Sequence, residues 1–137
     1  MNSGPEHFTR IAPLDRVAVS ADERGRVVEP MPRGLLGAGL VQHQHVIEFA
    51  PGAVRGNHVH RLQREVIVLL AGVILARVEE LGSRAAAELE LREHVAVTLQ
   101  PGIAHAFKNV GEETAWMLSY TDRPYDAGDV EPHVLFR

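Results

Sequence analysis

The chain has 137 residues and no cysteine. Disulfides, thiolate metal sites and a cysteine nucleophile are therefore excluded, and any metal must rest on nitrogen and oxygen ligands. There is one lysine, Lys108, among scattered arginines, and the net charge is −4 with histidine neutral. No basic stripe marks a nucleic-acid face, and no basic amphipathic stretch marks a membrane surface. Long apolar runs are also missing. The longest, Val66 to Ala76, is broken at Gly72 and is far too short to cross a bilayer. The first residues are polar, with Glu6, His7 and Arg10, which does not suit a signal peptide. A cytoplasmic protein is expected.

What remains is a chain of one-domain length with 45% hydrophobic residues, enough to build a core without staples. Short stretches rich in β-branched residues alternate with turn signals such as Pro51-Gly52, Gly82-Ser83, Pro101-Gly102 and Gly111-Glu112. Ten strands are predicted: Val17–Ser20, Arg26–Glu29, Leu40–Phe49, Arg55–His60, Glu65–Leu70, Val73–Glu79, Ala87–Leu91, His94–Leu99, His105–Asn109 and Thr114–Tyr120. Many short strands at about ten-residue spacing indicate an all-β sandwich or barrel in a single domain spanning residues 1–137. Ser83–Leu91 contains alanines and glutamates that also suit a helix, but its place between two strand runs favours a strand. Residues 1–9 are expected to form a loose or partner-docked arm. Residues 124–137 are expected to form a tail over the barrel or a partner subunit.

The chemistry is concentrated in histidine. His58 and His60 are two apart, so in a strand they project from one face. Glu65 follows after a short bend, and its strand is expected to return antiparallel beside the first. His105 opens a later strand. Three imidazoles and a carboxylate form a ligand set for a divalent Zn, Fe, Ni or Mn ion with positions left open. Without metal, the same groups could act as an acid–base pair near neutral pH. His43 and His45 form a second pair at the same spacing with no matching carboxylate, and they are expected to be structural or part of a pocket wall.

Taken together, these residues resemble the cupin superfamily. Gly52, His58, His60, Glu65 and Gly72 match every position of its first motif, and Gly102, His105 and Asn109 match its second. In the second, the proline is displaced to Pro101, and His94 stands where the leading glycine would be. The resemblance implies a cupin jelly-roll barrel with the four ligand-type residues converging inside. Further segments are similar to sugar-nucleotide cupins. Asp22-Glu23-Arg24-Gly25 followed by Glu29 looks like their D-x-R-G opening, although a turn closed by its own ion pair also explains it. Arg55-Gly56-Asn57-His58-Val59-His60 resembles their R-G-x-H-x-H, and Gly102 to Phe107 resembles G-F-A-H-G-F. The segment Tyr120 to Asp126 looks like their closing stretch. The relatives in question are dTDP-4-dehydrorhamnose 3,5-epimerases, dTDP-4-keto-6-deoxyglucose 3,4-ketoisomerases and the cupin epimerase domain of capsular-sugar enzymes. The last is nearest, through R-G-N-H-x-H and the series ending at Gly111. His60 departs from the 3,5-epimerases, and the chain is shorter than theirs.

The resemblance implies a small-molecule substrate, a nucleotide-linked keto sugar or similar carbonyl compound, and a reaction begun by removal of the acidic α-proton. His58 would be the base. His60 would assist it or join His58, Glu65 and His105 in holding a metal. Arg55 would bind substrate and offset enolate charge, and Tyr120 or Tyr125 would return a proton. Trp116 would stack on the sugar or base, unless it packs in the core. Lys108 would face solvent. No organic cofactor is called for. A homodimer is expected, with the N-terminal arm contributing. Two other classes fit the same residues: a metal-dependent oxygenase or lyase, and a non-enzymatic small-molecule-binding cupin.

Overall fold

A computed structural model describes residues 1–35, 39 and 41–137. The predicted strands are present with shifted ends, except that Leu40 lies outside the described residues. In chain order the strands are β1 (Asn2–Ser3), β2 (Leu14–Arg16), β3 (Ala18–Asp22), β4 (Gly25–Glu29), β5 (His43–Phe49), β6 (Val54–Val59) and β7 (Glu65–Ala71). They continue as β8 (Ile74–Glu80), β9 (Ala86–Leu91), β10 (Val95–Leu99), β11 (Ile103–Asn109), β12 (Ala115–Thr121) and β13 (Glu131–Pro132). The stretch that suited either helix or strand is β9, whose pairing with β8 uses all six of its residues. The single α-helix among the described residues, α1, covers Pro5–Ile11. None of the described helices is long and apolar enough to cross a membrane.

Two sheets face each other, in strand orders β1-β9-β8-β11-β6-β13 and β2-β10-β7-β12-β5. The expected all-β jelly roll is the observed architecture. Alternation decides its inside. In β7, Glu65, Ile67 and Leu69 point inward while Val66 and Val68 point outward. The outward pair is nevertheless buried, in a second cluster with Val17, Met31, Ala96 and Tyr120. The main cluster fills the space between the sheets, with Phe49, Leu69, Ile74, Val97, Leu99, Phe107 and Met117.

Two expectations about the chain path are corrected. Residues 1–9 are not a loose arm. Asn2–Ser3 pairs in parallel with β9, and α1 buries Phe8 and Ile11 in the main cluster. Two apolar side chains three apart on one helical face supply the reason. Nor does β7 return beside β6. It pairs with β10 and β12 in the opposite sheet, because the bend at residues 60–64 carries the chain across the barrel. In the C-terminal segment β13 pairs with β6, and Phe136 is buried under the Arg77 guanidinium, 4.1 Å above its ring.

His94 adopts a left-handed backbone with φ of +69°. That explains why the family motif places glycine there, since a side chain in this conformation costs about 1–2 kcal/mol. His94→Gly is expected to be at least as stable as wild type and about 1–2 kcal/mol more stable than His94→Val. Thermal denaturation in which the glycine variant melted below the valine variant would refute this account.

Candidate active site

The two sheets leave a partly open cavity of about 510 Å³ between them. This is an ordinary size for a small-molecule site. Its lining includes His43, His45, Arg55, His58, His60, Glu65, His105 and Tyr125.

The floor is built by a pairing irregularity. His105 on β11 pairs with His58 on β6, but the next residue, Ala106, pairs with Gly56, leaving Asn57 as an extra residue. Gly56 and Asn57 both have positive φ. A Cβ on Gly56 would come within 2.8 Å of the His105 carbonyl oxygen, so only glycine lets the strands approach this closely. The bulge puts Arg55 and His58, three residues apart, on the same cavity wall. Strict alternation would have separated them. The Asn57 side chain then faces away from the cavity. It accepts from the Leu135 and Phe136 amides at 2.8 and 2.9 Å and donates to the Phe136 carbonyl at 2.9 Å, pinning the C-terminal segment.

Hydrogen bonds set the histidine tautomers. His105 Nδ1 lies 3.1 Å from the Ile103 carbonyl oxygen, and His60 Nδ1 lies 3.0 Å from that of Asp129. A carbonyl only accepts, so both Nδ1 atoms carry protons, an arrangement that in a neutral ring leaves the lone pair on Nε2. His58 Nε2 is 3.0 Å from His105 Nε2, so in the absence of a cation it is the donor of that pair. Burial, reinforced by the neighbouring imidazoles His105 and His60 and opposed by Glu65, pushes His58 down to about 4. Burial likewise pushes His105 down to about 4, against the pull of its Ile103 hydrogen bond. Both rings are therefore neutral at pH 7. Glu65 enters from the facing sheet. Its Oε2 accepts a hydrogen bond from the buried Ser119 hydroxyl, and its Oε1 stands 3.5 Å from His105 Nε2.

One ligand atom each from His58, His60 and His105 lies within 4.8 Å of the others. Two nitrogens on one zinc ion stand roughly 3–4 Å apart, so small ring rotations would suffice. With two of the three Nδ1 protons tied to carbonyls, the donor set fits a divalent cation. Glu65 borders this trio through His105.

The remaining predicted residues separate. Arg55 lines the cavity, with its Nε donating to the Glu48 carbonyl at 3.0 Å. Tyr125 stands at the mouth, 70% exposed, its ring 6.5 Å from that of His43. Tyr120 does not reach the cavity. It is 7% exposed and packs in the outer cluster with Val66 and Val68, and burial raises its hydroxyl pKa. Trp116 is neither a stacking platform in the cavity nor core. At 39% exposed it lies on the outer side of β12, paired with Glu48 and Ala71. Both corrections follow from strand parity: β12 turns Met117, Ser119 and Thr121 inward, so Trp116 and Tyr120 must point out. Asp22 and Arg24 form the turn ion pair at 2.6 Å, on the surface. His43 and His45 are cavity wall, as the sequence suggests.

Sequence reasoning misses Asp129. Its buried carboxylate accepts from the backbone amides of Arg61, Leu62 and Gln63 at 2.9 to 3.0 Å, while its carbonyl fixes His60. This one residue clamps the bend after His60 and sets that ring's tautomer. No local spacing announces it, because its partners are more than sixty positions away in the chain.

A family model described as a polysaccharide biosynthesis C-terminal domain matches residues 20–132. No curated protein matches the chain. Among solved structures, a dTDP sugar isomerase from Desulfovibrio desulfuricans G20 superposes with a TM-score of 0.80 at 18% identity, over 90% of this chain and 83% of that one. A 3'-monoepimerase from Streptomyces bikiniensis, solved with dTDP-quinovose, gives 0.77 at 20% identity, over 89% and 69%. A sugar 3,4-ketoisomerase from Thermoanaerobacterium thermosaccharolyticum, solved with TDP, gives 0.71 at 18%, over 88% and 87%. At these identities the likeness is one of fold.

Proposed function

The chain belongs to the polysaccharide biosynthesis C-terminal domain family, a cupin jelly roll, and on that premise we propose that it is an epimerase or ketoisomerase acting on a nucleotide-linked keto sugar. The observation that carries the reading is the floor of neutral imidazoles, His58 against His105, beneath a cavity of sugar size that also holds Arg55. A ketone acidifies its α C–H because the resulting carbanion is an enolate. A neutral imidazole accepts that proton, whereas an imidazolium would not. His58, half-buried and facing the cavity, is the base, and His105 holds its ring by hydrogen bond. The Arg55 guanidinium is the cavity's permanent cation and offsets charge on the enolate oxygen. The fold neighbours solved with dTDP-quinovose and TDP support a nucleotide-linked substrate. A homodimer working in the cytoplasm is part of the same reading.

The test is solvent exchange. Incubated in D2O with dTDP- and UDP-linked 4-keto-6-deoxyhexoses, the protein is expected to place deuterium beside the ketone, read by NMR and mass spectrometry. No exchange with any of these probes would overturn the reading.

A second reading is favoured by the convergent nitrogens: a metal-dependent cupin in which His58, His60 and His105, bordered by Glu65, hold a divalent Zn, Fe, Ni or Mn ion. A bound ion would supply Lewis-acid polarisation of a substrate oxygen. Elemental analysis of untagged protein decides between the two. About one equivalent of transition metal, lost in His60→Ala, is the outcome expected for the metal site. Metal-free wild type, or metal retained by the variant, would count against it.

A further inference from the structure

The second histidine pair, His43 and His45, has no part in the chemistry above, yet it faces the same cavity. Register places it. His43 pairs with Thr121 on β12, and Thr121 pairs with Glu65 on β7. The three form one row across the inner face of a sheet. Adjacent strands lie about 4.8 Å apart, so the backbones of His43 and Glu65 are roughly 10 Å apart. Glu65 borders the floor cluster through His105. His43 therefore lines the cavity from the sheet that faces β6 and β11, the strands that carry His58 and His105. It is half-buried, and its ring lies 5.3 Å from that of His45. The tyrosines are less well placed to donate a proton there. Tyr120 is outside the barrel, and Tyr125 is 70% exposed at the mouth.

We infer that His43 is the proton donor opposite His58, and that the reaction is therefore an epimerisation with inversion. This rests on the keto-sugar reading of the site. The C–H bond beside the ketone breaks toward His58, which takes the proton, and the electron pair becomes the enolate. His43 then gives a proton to the same carbon from the opposite side. The C–H bond re-forms with inverted configuration and the ketone is restored. His58 afterwards releases one proton to solvent and His43 recovers one.

The experiment compares wild type, His43→Asn, His43→Gln, Tyr125→Phe and His58→Asn with the same keto-sugar nucleotides in D2O. Two products are followed separately: deuterium in recovered substrate, and the epimer. Both His43 variants are expected to keep exchange within a fewfold of wild type while epimer formation falls by about 10²-fold or more. His58→Asn loses both. Wild-type epimer formation in the His43 variants would overturn the assignment. So would the same split of exchange from inversion in Tyr125→Phe, which would give the role to the tyrosine. A wild type that exchanges but makes only the ketoisomer would overturn the inversion while leaving the keto-sugar reading intact. A wild type without exchange would remove both.

Discussion

His58→Asn is expected to lower deuterium exchange at the carbon beside the ketone by about 10²–10⁴-fold, the usual contribution of a positioned general base. Asparagine keeps a polar group of similar reach but has no nitrogen that can accept the proton. The partner ring should stay in place, because His105 is independently held by its Nδ1 bond to the Ile103 carbonyl. The melting temperature in metal-free buffer is therefore expected to change little, which separates lost chemistry from lost fold. His105→Asn is expected to differ. It removes a buried ring from the centre of a strand paired on both sides, so exchange and stability should fall together. Exchange by His58→Asn within tenfold of wild type would eliminate His58 as the base and shift that role to another cavity group.

The second large effect is a loss of stability in mild acid. In chelator-treated protein both His58 and His105 sit near 4 instead of the ordinary 6.5. On unfolding each returns to its ordinary value, so between those limits the unfolded chain binds protons that the folded protein does not. Stability therefore rises with pH across this window. The contribution is complete above about 6.5 and is lost as pH falls toward 4. For the enclosed His105 the loss is on the order of 2–3 kcal/mol. His58, open to the cavity on one side, contributes less. Chemical denaturation at pH 7, 6 and 5 is expected to show this slope in wild type and a shallower one in His58→Asn. Equal stability at pH 7 and 5 would mean that the two rings are not held neutral by burial.

Much of this is legible in the chain itself. The spacing of His58, His60 and Glu65, with Gly52 and Gly72 around them, places the motif and its strands. Periodicity two also predicts that His58 and His60 share a face. The helix at Pro5–Ile11 has readable signs too: proline at its start, Glu6 in the first turn, Arg10 in the last, and Phe8 and Ile11 three apart. Its apolar pair is outweighed by the polar residues around it.

Other features are not legible, because they depend on pairing between distant segments. Strand parity is local, but which face is the inside is set by the neighbouring strands. Trp116 and Tyr120 therefore look usable from sequence and turn out to point away from the cavity. The extra residue at Asn57 reverses parity for Arg55 and brings it onto the wall with His58. Asp129 acts on a bend more than sixty positions earlier.

The sequence by itself determined the composition of the site: imidazoles and a carboxylate without thiols, on short strands whose alternation sends them to one side. Only the tertiary structure decided how those groups meet. Folding brings Glu65 to His105 from the opposite sheet, ties two Nδ1 protons to carbonyls and sets His43 on the sheet that faces β6 and β11. The physical reason is that residue type and local periodicity act within a few positions, whereas burial, tautomer and separation across a cavity arise from segments that become neighbours only when the barrel closes.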